Sequence, residues 1–325
     1  MNKYKELVEK LDYKYFYKVS NDAYFWIGKL NSDLNILDGK KFPIPYSDNR
    51  TNLIEDEFYE TENRNFIRTV WYAISNIRKT FISEEWIKEI YMQLVLYYRY
   101  DGYYREDEEV FENKNYIERK YWIKLENIEE ELKYLIEYFN DNREAEECAI
   151  VKAAIIYHAF ISISPFVKCN ELMAAILSES YLYKKSVIEI PFLYNYNSLD
   201  NQFKYFKNSN YKNKYFEKWI YDYMTIVVLE SRRVSKYVYK LNDIYKMTNI
   251  KLKELIKDPK KDDICDFIFQ TYGFTKDMFA EKFNISFSQA SRYINVLEKE
   301  GLLISNKKQR GKIFYLKETM DLLKL

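Results

Sequence analysis

A single histidine, His158, stands among the 325 residues, and it limits the acid–base chemistry open to the chain. Any Ser-His-Asp or Cys-His arrangement would have to use it, and a metal centre built on several histidines is excluded. Ser162, Ser164 and Cys169 follow closely and are the nucleophile candidates, yet no second histidine or evident base accompanies them. His158 itself reads as a core or helix-surface residue. The stretch SPFVKCN, Ser164 to Asn170, lies between two apolar helical segments and looks like a loop built to handle a ligand. It holds none of the acids, glycines or arginines that would handle a phosphate. Lys168 offers an anion contact beside a helix N-terminus, and its plainer reading is a solvated loop lysine. The six glycines form no GxGxxG or P-loop pattern, so familiar nucleotide loops are absent.

The elements around this loop are mostly helices. With only five Pro and six Gly, long stretches run unbroken, and apolar residues recur at three- and four-residue spacing, as in Trp86, Ile90, Leu94 and in Trp219, Tyr223, Ile226. The loop KKFPIPYSDN, Pro165, Pro191 and the charged stretch KDPKKDD around Pro259 punctuate the chain. No internal repeat is visible. At this length, more than one folded unit is expected. The boundaries read from the sequence are a helical N-terminal region over 1–80, a helical core over 81–250 and a separate module over 262–325.

In that last module Ile264, Phe267 and Ile268 predict one helix, and Thr275 caps a second that ends near Phe283. A turn at Asn284 to Ser286 leads to a third helix from Phe287 to Lys299. Gly301 ends it, and LLIS and IFYL flank NKKQRGK as a two-stranded hairpin. Three helices and a hairpin make a winged helix-turn-helix. The spacing turns Phe287, Ala290, Ile294 and Leu297 inward and leaves Ser288, Gln289, Ser291, Arg292 and Asn295 outward, able to reach base edges or phosphates. From Ser286 to Lys312 six basic residues (Arg292, Lys299, Lys307, Lys308, Arg310 and Lys312) face two acidic ones, Glu298 and Glu300. Ser288, Gln289 and Arg292, with Lys307, Lys308 and Arg310 in the wing, are therefore the candidate DNA contacts. The alternative is a module that packs against the rest of the protein or supports dimerisation.

Composition bounds the remaining options. Lys and Arg number 51 against 50 Asp and Glu, so no global field draws the molecule to nucleic acid or an anionic membrane. The 34 tyrosines fit an A/T-rich genome as well as a binding surface. Three widely separated cysteines, Cys148, Cys169 and Cys265, suit a reducing cytoplasm rather than a disulfide framework. The apolar runs fall short of the ~20 residues needed to span a bilayer, and MNKYKELVEK reads as a charged helix start rather than a signal peptide. A cytoplasmic protein without membrane contact is expected.

The segment YHAFISISPFVKCNELMAAIL resembles the signature of the Fic/Fido (Fic/DOC) family: a Phe, an Ile, then His-Pro-Phe, a variable residue, an acid, Gly-Asn-Gly-Arg and a further Arg. Phe160, Ile163, Pro165, Phe166 and Asn170 agree with it. Ser164 stands in place of the family's His, Lys168 in place of its acid, Cys169 and Glu171 in place of its glycines, Leu172 and Ala175 in place of its arginines. TNLIED, Thr51 to Asp56, resembles the family's inhibitory helix, and Glu55 in it reads as an exposed residue whose arginine partner is replaced by Ala175. GYYR, Gly102 to Arg105, resembles the turn ahead of the core, IPFLYNYNSLDNQFKYF resembles the segment after the motif, and a C-terminal winged helix is a frequent partner of this fold.

The resemblance implies a mainly α, Fic-type helical core with a helical N-terminal region and a C-terminal winged helix-turn-helix. It also implies what has been lost. In the family, the loop and the following helix bind ATP phosphates, the His takes a proton from a target hydroxyl, the acid holds Mg²⁺ and AMP is transferred. Each substitution removes one of these parts, a general base alone being worth roughly 10²–10⁴ in rate. The expectation is a catalytically inactive protein needing no cofactor, with Ser164, Lys168, Asn170, Leu172 and Ala175 as vestigial positions. It would regulate through double-stranded DNA or a protein partner, as a homodimer. The alternative is a transferase with altered chemistry that moves AMP or another phosphate-containing group onto a protein hydroxyl, using ATP with Mg at Lys168, Asn170 and Arg105. A scaffold that pairs with an active relative is a third reading.

Overall fold

A computed structural model describes residues 13–36, 68–75, 77–96, 102–106, 123–141, 149–190, 213–257, 261–271, 273–306 and 311–323, with residues 4, 6 and 11. The inhibitory-type segment Thr51–Asp56, Pro191 and the segment after it, Pro259, and the wing residues Lys307, Lys308 and Arg310 lie outside the described residues. What is described is mainly helical, with two short strands near the end. Among the described residues no helix is long and apolar enough to cross a membrane.

The helices are α1 (Tyr13–Ile36), α2 (Glu84–Leu94), α3 (Ile128–Asn140), α4 (Ala149–Ile163), α5 (Asn170–Lys184), α6 (Asn213–Leu255), α7 (Lys261–Gln270), α8 (Lys276–Phe283), α9 (Phe287–Lys299) and α10 (Lys317–Leu323), with β1 (Leu303–Ser305) and β2 (Phe314–Leu316) between the last two. The chain divides into two compact units, Met1–Asn31 with Thr61–Arg232, and Ser32–Glu60 with Arg233–Leu325.

In the first unit α4 and α5 form the centre. Helix α4, AIVKAAIIYHAFISI, is apolar on all sides and buried from Ile150 through Phe160, the pattern of a helix surrounded by protein. The exception in its sequence, Lys152, is held by donating to the Asp141 carbonyl at 2.8 Å and by lying over the Tyr138 and Tyr181 rings. Helix α5 is buried from Met173 to Leu182 and packs along α4. Helix α3 presents Ile128, Leu132, Leu135 and Phe139 at helical spacing, and Glu129, Glu130 and Glu131 in its first turn complement the positive end of its dipole. Helix α2 begins at Ser83, whose side chain accepts from the Trp86 amide, and buries Ile87, Ile90, Tyr91 and Leu94. Trp219, on the N-terminal part of α6, donates its indole N–H to the Ala154 carbonyl at 3.1 Å.

In the second unit the local signals define the elements closely. Thr275 caps α8 by accepting from the Met278 amide, and Asn284 ends that helix with φ +50°, the left-handed conformation that asparagine tolerates. Ser286 then caps α9 by accepting from Gln289 N at 3.2 Å. Gly301, with φ +72°, closes α9. The strands pair antiparallel with Leu303 opposite Leu316 and Ser305 opposite Phe314, and Phe274 adds a two-bond bridge to Phe314. Gly273 beside it is needed for space, because a Cβ there would stand 2.7 Å from the Tyr315 ring. Phe267, Phe274, Phe279, Phe283 and Phe314 pack ring against ring beneath the helices. Phe274, Phe279 and Phe314 are fully buried, each such ring being worth roughly 1.5–3 kcal/mol.

One inward assignment fails. Ala290, Ile294 and Leu297 are fully buried, but Phe287 is 55% exposed. Spacing puts Phe287 on the same side of the helix as Ala290 and Ile294, yet it occupies the first helical position, at the end of the buried stripe.

Candidate functional site

The loop Ser164–Cys169 joins α4 to α5, and the side chains around it turn inward. Phe166 is fully buried, stacked on Tyr91 with centroids 3.8 Å apart and planes 2° from parallel, with Tyr104 and Phe160 at its other sides. Asn170, 2% exposed, clips the turn from both sides. Its Oδ1 accepts from the Phe166 amide at 3.0 Å and its Nδ2 donates to the Phe166 carbonyl at 2.8 Å. Asn140 repeats this device on Ile82, at 3.0 and 2.7 Å.

Arg105, 4% exposed, braces the same loop. Its backbone N–H donates to the Pro165 carbonyl at 2.8 Å, its Nε to the Ser164 carbonyl at 2.9 Å and its Nη2 to the Ile123 carbonyl at 2.6 Å. A buried guanidinium requires such acceptors, and they fix its fork toward backbone. The Ser164 hydroxyl, also 4% exposed, donates to the Ile161 carbonyl at 2.5 Å, so it points back along α4.

Two residues of the loop adopt left-handed backbone without being glycine: Ser164 with φ +42° and Cys169 with φ +59°. Each such position costs of order 1–2 kcal/mol relative to glycine. Cys169 is the N-cap of α5 and makes no side-chain capping bond. Glu171, in the first turn of α5, places a carboxylate near the helix's positive end. That charge and, chiefly, full burial push the Tyr157 hydroxyl well above the usual tyrosine range. Lys168 is half-exposed beside Val167, Leu172 is half-buried and Ala175 is buried.

His158 is buried against Phe216 and Trp219, ring centroids 5.3 and 6.1 Å away. Ser162 Oγ donates to the His158 carbonyl at 2.8 Å and lies 3.4 Å from its Nδ1. The histidine thus belongs to the packing of α4 against α6.

The second candidate surface is the start of α9. Ser288, Arg292 and Asn295 are exposed, as their spacing predicts. Gln289 is half-buried, its Nε2 donating to the Tyr293 hydroxyl at 3.2 Å. Lys276 on α8 donates to Asn295 Oδ1 at 3.2 Å, which brings a second cation to this face. No carboxylate occurs from Ser286 through Leu297. Further along, Glu298 is tied to Ser305 and Lys312 at the base of the hairpin. Those two partners, Ser305 first, hold its carboxyl below the usual range. The sequence did not mark Phe287 as exposed, although Ser286 as a capping residue makes Phe287 the first helical position and hence a terminal one.

Residues 81–182 match the model of the Fic/DOC family, and the match spans α2 through the end of the buried part of α5, with the loop inside it. Among solved structures, the chain is similar to a Fic-domain-containing signalling protein from Bacteroides thetaiotaomicron, at 14% identity and TM-score 0.46, over 67% of this chain and 97% of that one. Fic-1 from C. elegans is 14% identical with TM-score 0.47, over 70% of this chain and 72% of that one. A Fic family protein from Desulfovibrio desulfuricans is 10% identical with TM-score 0.43, over 92% of this chain and 87% of that one. No curated protein matches the chain.

Proposed function

We propose that the chain is a Fic-fold protein without transferase activity, a regulator that binds double-stranded DNA as a homodimer through a winged helix formed by α7, α8, α9 and the hairpin. The observation that carries this reading is the opposite use of polar side chains at the two candidate sites. At the loop, Ser164, Asn170 and Arg105 bond to backbone within the protein. On α9, Ser288 and Arg292 are exposed in a stretch, Ser286 to Leu297, that holds no carboxylate.

ATP with Mg²⁺ does not fit the residues present at the loop. Lys168 is a cation where the family's metal ligand would be, and a hard divalent ion is bound by oxygens. Glu171 opposes phosphate at the first turn of α5, and a side chain at Cys169 and Glu171 obstructs the close backbone approach that glycine allows. Leu172 and Ala175 supply no guanidinium for a bidentate clamp. The Ser164 hydroxyl keeps its proton near neutral pH and is no general base.

The full chain should show no incorporation of labelled ATP into itself or into added protein with Mg²⁺ or Mn²⁺, and no ATP-dependent shift in melting temperature. Transfer of label would overturn the inactive reading. Binding to duplex DNA should weaken steeply with salt as condensed counterions are released on contact. Binding that is absent, or indifferent to salt, would remove the DNA reading.

A further inference from the structure

The exposed ring of Phe287 is unexplained by folding, and its neighbours suggest what covers it. It occupies the first position of α9, directly after the Ser286 cap, and is more than half exposed. Ser288 follows it on the exposed side, and Arg292 lies one turn beyond Ser288. An exposed apolar ring at the head of a helix whose next exposed side chains are a hydroxyl and a guanidinium, with no acid in the first three turns, suits a mixed surface rather than another protein core. The major groove of B-DNA is such a surface. Its base edges offer acceptors and donors, and thymine adds one apolar group, the C5 methyl. Recognition helices present their N-terminal residues to base edges, and Phe287 is the foremost residue of α9.

We infer that Phe287 is a specificity determinant that packs against a thymine methyl in the major groove, while Ser288 and Arg292 provide the polar contacts beside it. The inference rests on the DNA-binding reading above and adds to it a chemical preference at one base. Burial of one methyl against the ring is worth about fourfold in affinity, from ~0.8 kcal/mol per methyl-sized group.

The test uses the full chain and short randomised duplexes selected for binding at low salt. Selected duplexes should share a thymine at one position. Replacing that thymine by uracil, which removes only the methyl, should weaken binding about fourfold. In Phe287→Ala, thymine and uracil duplexes should bind alike, whereas Phe287→Leu, which keeps an apolar side chain, should retain part of the preference. If no duplex is retained, the DNA reading falls and this inference with it. If duplexes bind but uracil matches thymine at every position, or the methyl preference survives in Phe287→Ala, the inference alone is overturned.

Discussion

The loop between α4 and α5 and the first turns of α9 are both polar interruptions of apolar sequence, and they direct their side chains in opposite ways. Around the loop, an arginine, a serine and an asparagine are each nine-tenths buried or more, and the groups described for them bond to peptide carbonyls and amides. At α9, a serine and an arginine of the same chemical types stand in solvent over a core of Ala290, Ile294 and Leu297. Residue type therefore does not distinguish a braced loop from an exposed helix face. Direction and burial do, because a buried polar group must find partners inside the fold, and an exposed one is left to find them outside.

Substitution separates the two regions by size of effect. Arg105→Ala should be the most damaging, lowering stability by about 3–4 kcal/mol, since two charge-assisted bonds are lost and their carbonyls remain buried. The midpoint of urea unfolding measures this, and a change under ~1 kcal/mol would mean the loop does not depend on its brace. Asn170→Ala should cost about 2 kcal/mol through the unpaired Phe166 amide and carbonyl, read in the same way. Ser286→Ala removes the cap of α9 and should cost about 1 kcal/mol, most of it seen as faster amide exchange in the first turn of that helix. Arg292→Ala should leave stability within ~0.5 kcal/mol. On the proposed DNA-binding reading it should nevertheless weaken binding to duplex DNA by about 1–3 kcal/mol, as loss of a base or phosphate contact would. A large loss of stability at Arg292, or none at Arg105, would erase the contrast.

Where a feature is set by neighbours in sequence, it was legible there. Thr275 as a cap, Asn284 as a turn residue and Gly301 as a helix terminator all act within a few residues, and each is found in that role, while Ser286, read only as part of the turn, is the cap of α9. Ala290, Ile294 and Leu297 followed from period alone. Phe287 did not, since period gives a direction around the helix and is silent on whether anything packs there. Arg105 illustrates the same limit at longer range. The alternative reading named it as an ATP-binding residue, and in the structure its side chain donates to the carbonyls of Ser164 and Ile123, 59 and 18 positions away. The Asn170 clip spans only four residues, yet it requires the loop to double back, and the stretch SPFVKCN carries no glycine to announce that.

Cys169 carries a different consequence, concerning how the chain can change. It holds a left-handed backbone, φ +59°, that favours glycine, and its side chain makes no capping bond. A single replacement by glycine should therefore be downhill, by something near 1 kcal/mol. Natural proteins rarely sit at their stability optimum, and such an unused gain can absorb the cost of a damaging substitution elsewhere. The turn ahead of α5 is thus a mutational buffer, a place where one change would widen the range of sequences this fold tolerates, including new residues on the outward face of α9.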